Sequence, residues 1–164
     1  MNITYKIADN KDIELLMSSR LEMLLEVFEL ENGYEYSEDF VSISRKFFLE
    51  GDQTTVLAFA ESANDSSADS AGDKKVIGCA SICYITVMPT PDHPTGQRAH
   101  LMNVYTSDEY RGQGIGFKMC SMLIDEAWNR GVTEISLDST RAGHRLYEKL
   151  GFQDSKECMV ISRG

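Results

Sequence analysis

The stretch Tyr110-Arg111-Gly112-Gln113-Gly114-Ile115-Gly116 constrains this chain more than any other. Glycine at three alternate positions removes the Cβ atoms that would hold a ligand off the backbone. Before it, residues 99–106 read as a strand. After it, Ile115, Met119, Met122, Leu123 and Ala127 recur at helical spacing between Gln113 and Arg130, and Gly131 marks the stop. A strand that passes through a glycine-rich turn into a helix presents unpaired N–H groups and the positive end of a helix dipole. Together these suit a pyrophosphate. Arg111 adds a full charge at the rim. A dinucleotide fingerprint would need glycine where Phe117 stands. A Walker loop would need Gly-Lys-Ser/Thr, whereas Lys118 lies between Phe117 and Met119. A purely structural role for the glycines stays open at this point.

The rest of the chain alternates between the two periods. Residues 2–8 predict a strand through Ile3, Tyr5 and Ile7. Asp9 and Asn10 can cap a helix that runs to about Leu30, and Asn32-Gly33 ends it. Ser37 can cap a second helix to about Glu50. Strands are expected at 54–60, 75–87, 99–106, 133–138 and 156–162, and a short helix at 141–150. Residues 61–74, rich in Ser, Asp and Ala, read as a long hairpin loop. Residues 88–98 hold all three prolines and read as another. The order predicts an α/β (α+β) sandwich around one twisted sheet, with a parallel crossover at 99–138.

Composition narrows the function. At 164 residues, 42% of them hydrophobic, the chain suits one domain over residues 1–164. No apolar run approaches the roughly 18 residues a membrane helix needs. The first residues, MNITYKIADNKD, lack a basic-then-apolar signal segment, so a cytoplasmic location is expected. A net charge of −10 argues against nucleic acid and against anionic membranes. The four cysteines form no CxxC pair, so they read as buried thiols and not as a metal site.

A second stretch, Leu146-Tyr147-Glu148-Lys149-Leu150-Gly151-Phe152, places a tyrosine four residues before a glycine stop. Alone, Tyr147 reads more often as a core aromatic than as an acid. Taken together, the two stretches resemble the paired signatures of the GNAT superfamily of acyl-CoA-dependent N-acetyltransferases. The first is Arg111-x-x-Gly114-x-Gly116 preceded by Val104-Tyr105-Thr106-Ser107-Asp108-Glu109-Tyr110, and the second is the Tyr147 segment. The similarity is strongest over residues 99–152.

The resemblance implies a GNAT fold: a single mixed, mostly antiparallel twisted sheet of six to seven strands flanked by about four helices. It implies acetyl-CoA as cosubstrate. The strand before the loop should splay from its neighbour at a bulge, with backbone groups of Val104, Tyr105 and Thr106 holding the pantetheine arm. The loop from Gly112 through Gln113, Gly114, Ile115 and Gly116 to Phe117 should cradle the pyrophosphate, with Arg111 opening the signature. Tyr147 matches the family's general acid, and its phenol is protonated at pH 7. Many members carry Asn and Ala where Thr140 and Gly143 stand here; Thr140 reads as a helix cap or as a contact to the arm.

The base is not marked. His100, Glu22 with Glu26, and His144 are candidates, and Cys120 has no adjacent His that would make it a nucleophile. Residues 9–39 hold ten acidic residues against Lys11 and Arg20. In such a fold they would wall the acceptor site and favour a primary amine on a small cationic molecule. A protein lysine or N-terminal acetyltransferase and a non-catalytic acyl-CoA-binding module are the alternatives. Members often dimerise, so a homodimer is an open expectation.

Overall fold

Apolar alternation becomes strand wherever both faces find cover. The computed structural model describes residues 2–61 and 74–164. β1 (Asn2–Ile7) is followed by a 3-10 turn (Asn10–Asp12) and α1 (Ile13–Val27). Then come α2 (Glu38–Glu50), β2 (Gln53–Glu61), β3 (Lys75–Thr86) and β4 (Gln97–Thr106). A second 3-10 turn (Asp108–Tyr110) leads to α3 (Ile115–Asn129), β5 (Glu134–Leu137) and α4 (His144–Lys149). The hairpin loop expected over 61–74 falls, apart from its ends, outside the described residues.

The sheet runs in the order β1-β2-β3-β4-β5. The first three pairings are antiparallel, and β4–β5 is parallel across the α3 crossover, as the element order predicts. α3 covers one face. Met119, Cys120, Leu123 and Ala127 pack there against Val56, Ala58, Ile77, Ala80, Ile82, Ala99 and Leu101. α1 covers the other face, where Leu16 and Met23 meet Leu57, Phe59 and Cys79. α2 buries none of its residues fully and leaves Ile43 and Phe47 exposed.

Caps set the helix starts. Asp9 caps the 3-10 turn ahead of α1 by accepting from the Lys11 N–H, and the Asp12 carboxylate accepts from the Asp9 N–H, both at 2.9 Å; α1 itself begins after Asp12 without a side-chain cap. Ser37 accepts from the Phe40 N–H at 3.1 Å, so the expected second cap is present. The third helix starts two residues later than its periodicity predicts, because Gly114 takes a left-handed conformation at its N-cap.

One expected element differs. The strand expected at 156–162 does not form, and the described sheet has five strands. Met159, Val160 and Ile161 are 94%, 82% and 98% exposed. Alternation makes a strand only against a partner edge, and these residues lie off the sheet.

Candidate active site

The site begins where β4 leaves β5. Their pairing covers only Arg98–Leu101 against Glu134–Leu137. Among the described residues, β4 from Met102 to Thr106 has no strand on that side. Toward β3, Met102 pairs with Ser81 and Tyr105 with Cys79, so Asn103 and Val104 together stand opposite Ala80. This is a β-bulge, which bends a strand and raises its twist. Asn103 takes φ +60°, a left-handed value that asparagine tolerates better than most residues. The splay and bulge implied by the family resemblance are therefore present.

A polar chain fastens the bulge. Asn103 Oδ1 accepts from Arg20 Nη1 at 2.9 Å, and Asn103 Nδ2 donates to Ser81 Oγ at 3.0 Å. Ser81 and Thr55 share a buried hydroxyl pair at 2.6 Å. Asn103 carries no mark of this role in the sequence. A positive φ at a non-glycine residue leaves no mark in the sequence, and Arg20 lies 83 positions away.

The loop beyond β4 is shaped for close approach. Gly112 and Gly114 have φ +79° and +80°, and no atom lies within 4 Å of where their Cβ atoms would stand. Among the described residues, no backbone N–H from Gly112 to Phe117 donates to a protein acceptor; the first helical bond runs from Lys118 to Gly114. Ile115 is buried and anchors the helix start, so these amides stand at a fixed rim. At Gly116, a Cβ would come within 3.3 Å of Leu146 Cδ2, so α4 rests on the first turn of α3.

Arg111 faces its own protein. Its Nε donates to the Thr106 carbonyl and its Nη2 to Glu26 Oε1, both at 2.9 Å, while Nη1 pairs with Asp108. The guanidinium also lies over the Tyr105 ring, 5.7 Å from its centroid. Tyr105 in turn donates its hydroxyl to Glu26. Glu26 thereby joins α1 to the loop. The Tyr105 hydroxyl bond, followed by Arg111, holds the Glu26 carboxyl below its ordinary range despite some desolvation.

Tyr147 lies on α4 with its ring edge-on to Phe152, 6.0 Å between centroids. A Cβ on Gly143 would stand 3.0 Å from that ring and 3.3 Å from Thr140 Oγ1. Thr140 accepts from the Gly143 N–H at 3.1 Å, so it closes the turn before α4, and Gly143 is the helix N-cap. Among the described residues the Tyr147 hydroxyl has no hydrogen-bond partner. Burial, helped by the neighbouring Cys120, pushes its pKa up to about 12. The phenol is thus a proton donor across neutral and mildly alkaline pH. Burial likewise pushes Cys120 to about 12, which removes it as a nucleophile.

Among the base candidates, His100 lies on the α1 face of β4. Its Nδ1 meets Ser136 Oγ at 2.8 Å, and Nε2 stands 3.6 Å from Asp138. His144 is tied to Glu148 at 2.9 Å and lies 3.6 Å from Asp154. Glu22 is exposed and unpaired among the described residues, whereas Glu26 is committed to Arg111 and Tyr105. A separate depression of about 500 Å³ along α2, lined by Tyr36, Val41, Arg45 and Leu49, shares no residue with the loop or with α4.

This geometry has counterparts in known proteins. Residues 21–152 match the model of the acetyltransferase (GNAT) family. Thialysine N-ε-acetyltransferase of Mus musculus is 36% identical over 66 residues, 38% of this chain and 39% of that protein. Glucosamine 6-phosphate N-acetyltransferase of Trypanosoma brucei brucei is 32% identical over 89 residues, 53% of this chain and 57% of that protein. The matched part therefore spans well under two thirds of these relatives' lengths. A crystal structure described as a predicted acetyltransferase with acetyl-CoA from Clostridium acetobutylicum superposes with a TM-score of 0.76 at 28% identity. That match covers 98% of this chain and 96% of the other. With the glycine loop, the parted strands and Tyr147 each in place, the chain belongs to the acetyltransferase (GNAT) family.

Proposed function

We propose that this chain, acting as one catalytic unit over residues 1–164, transfers an acetyl group from acetyl-CoA to a primary amine. The observation that carries the reading is the row of amides from Gly112 to Phe117, unpaired among the described residues, beside the length of β4 that no described strand joins. The loop would take the pyrophosphate, and the backbone of Val104, Tyr105 and Thr106 the amide arm of the cosubstrate. The neutral amine attacks the thioester carbonyl, and a backbone N–H stabilises the developing oxyanion. The C–S bond then breaks with its electron pair going to sulfur, and Tyr147 supplies the proton. The ammonium proton leaves to water or to His100. Thr140 acts by holding the turn that aims Tyr147.

A small cationic acceptor is supported by the exposed carboxylates Glu22, Glu29, Glu31, Glu35, Glu38 and Asp39 along the α1–α2 wall, which pair with no cation among the described residues. The mouse relative's name sets its own transfer on a small amine, thialysine. The four free thiols fit a reducing, cytoplasmic setting. A homodimer is supported by the outer edge of β5, which no described strand covers, and by the exposed Met159–Ile161 segment, since unpaired edges and apolar tails favour pairing between chains. Light scattering after gel filtration reads the mass directly.

Thiol release with acetyl-CoA over a panel of amines, amino acids and basic peptides tests the activity. Turnover on small cationic amines is the expected result. Activity confined to peptides moves the reading to protein acetylation, and CoA binding without turnover on any acceptor refutes catalysis.

A further inference from the structure

The α1 face of the sheet holds a cation that the described protein leaves without a counter-ion. Arg20 turns inward from α1, and its one protein hydrogen bond among the described residues runs from Nη1 to Asn103 Oδ1, a neutral oxygen. Its near neighbours are the thiols of Cys79 and Cys83 and the phenol of Tyr36. Burial raises the pKa of all three, so they are uncharged at neutral pH. Arg45, Arg98, Arg111 and Arg130, by contrast, each face a carboxylate within 3.1 Å. A chain of net charge −10 has carboxylates in plenty, yet among the described residues none is set against Arg20.

A guanidinium drawn half out of water without a partner is costly and stays charged. It carries five N–H donors. Those other than the one to Asn103 make no protein hydrogen bond among the described residues, and none of them is sealed from solvent. The location adds the second argument. Asn103 is the bulge residue beside Val104, where the amide arm would lie. His100 pairs in register with Cys83 on the same face. An anion held by Arg20 would therefore lie on the face that carries His100, one residue from the proposed line of the amide arm.

We propose that Arg20 receives a carboxylate of the acceptor, so that the substrate is an amine that also bears a carboxylate, of the amino-acid class. This rests on the acetyl-transfer reading above and deepens it: the acidic wall draws the ammonium, and Arg20 fixes the other end. A planar guanidinium fork matches a carboxylate. A phosphate dianion draws several cationic partners, and among the described residues no second cation joins Cys79, Cys83 and Tyr36 around Arg20.

The test uses matched acceptors with the full-length chain. Lysine is compared with cadaverine and with lysinamide, and glucosamine 6-phosphate with glucosamine, in the wild type, in Arg20→Gln and in Asn103→Asp. The expected result is at least a tenfold preference in kcat/KM for lysine over both partners. That ratio should fall toward one in Arg20→Gln and in Asn103→Asp, where an internal carboxylate occupies the guanidinium. A structural role would lower all acceptors together and leave the ratio standing, and that result overturns the proposal. A preference seen only in the phosphorylated pair overturns the carboxylate assignment. Calorimetric binding of lysine and cadaverine to the CoA-loaded protein gives a second reading. If no amine is acetylated, the functional reading fails, and Arg20-dependent binding of lysine alone still decides this one. Equal binding of the two, or none, overturns it. Should Arg20→Gln fail to fold, Asn103→Asp and the wild-type ratios suffice.

Discussion

Replacing Tyr147 with Phe separates chemistry from folding. The hydroxyl has no protein partner among the described residues, so its removal orphans nothing, and stability should change by less than about 1 kcal/mol. The ring keeps its contacts with Phe152 and Gly143. In turnover the loss is larger. A hydrogen bond or proton offered to a departing thiolate is a charged one, worth about 1.5–3 kcal/mol. That converts to a roughly 10- to 150-fold fall in kcat. The pH profile sharpens the test. With its pKa near 12, Tyr147 is ionised in about one molecule in a thousand at pH 9. The defect should therefore be uniform from pH 6 to 9, with no alkaline limb that belongs to Tyr147. Because the folded value lies above the ordinary 10.0, the phenol's contribution to stability is complete below that pH and is lost as pH rises through about 12. Thiol-release kinetics with saturating amine and acetyl-CoA read the first effect, and urea melts the second. A kcat within twofold of wild type, or an alkaline limb near pH 10 that disappears in the variant, would refute the reasoning.

Gly114→Ala places a methyl group in open space, so its fold cost is the left-handed backbone alone, about 1–2 kcal/mol. The methyl group stands in the mouth of the loop, and KM for acetyl-CoA should rise at least about tenfold; an unchanged KM removes the diphosphate from this loop. Asp12→Asn loses the 2.9 Å contact with Lys6 Nζ and weakens the bond from the Asp9 N–H, at about 1–2 kcal/mol in a urea melt at pH 7. Burial raises the Asp12 carboxyl, but the Asp9 amide and Lys6 outweigh it and hold the carboxyl below 3.8. Its contribution is present above that pH and is lost as pH falls through the lower folded value. The variant should therefore show a shallower loss of stability in acid, and parallel curves for the two proteins would count against the assignment.

The glycine loop, the crossover and the element order were legible because each depends on local spacing. The Ser37 cap and the Gly131 stop are local as well. What escaped the sequence depends on distant partners. Asn103 twists into a left-handed conformation because Arg20 and Ser81 hold its amide, and no nearby residue announces this. Arg111 reads as a free charge at the rim, yet Glu26, 85 positions earlier, claims it. Residues 156–162 carry a strand's alternation but have no edge to lie against in the described fold. His100 is visible as a residue, but its bond to Ser136 exists only because β4 and β5 run side by side.

The length of β4 beyond Leu101 has a thermodynamic consequence. A protein strand would have filled that edge once and permanently; in the proposed arrangement the cosubstrate, with amides along its arm, would do so reversibly. Part of the molecule's resistance to unfolding is thereby lent by a metabolite. At a hundredfold excess over its Kd, such a guest adds about 2.7 kcal/mol. On this reading the melting temperature and protease lifetime of the protein should track the supply of acetyl-CoA, falling when the pool is drained and recovering when it refills.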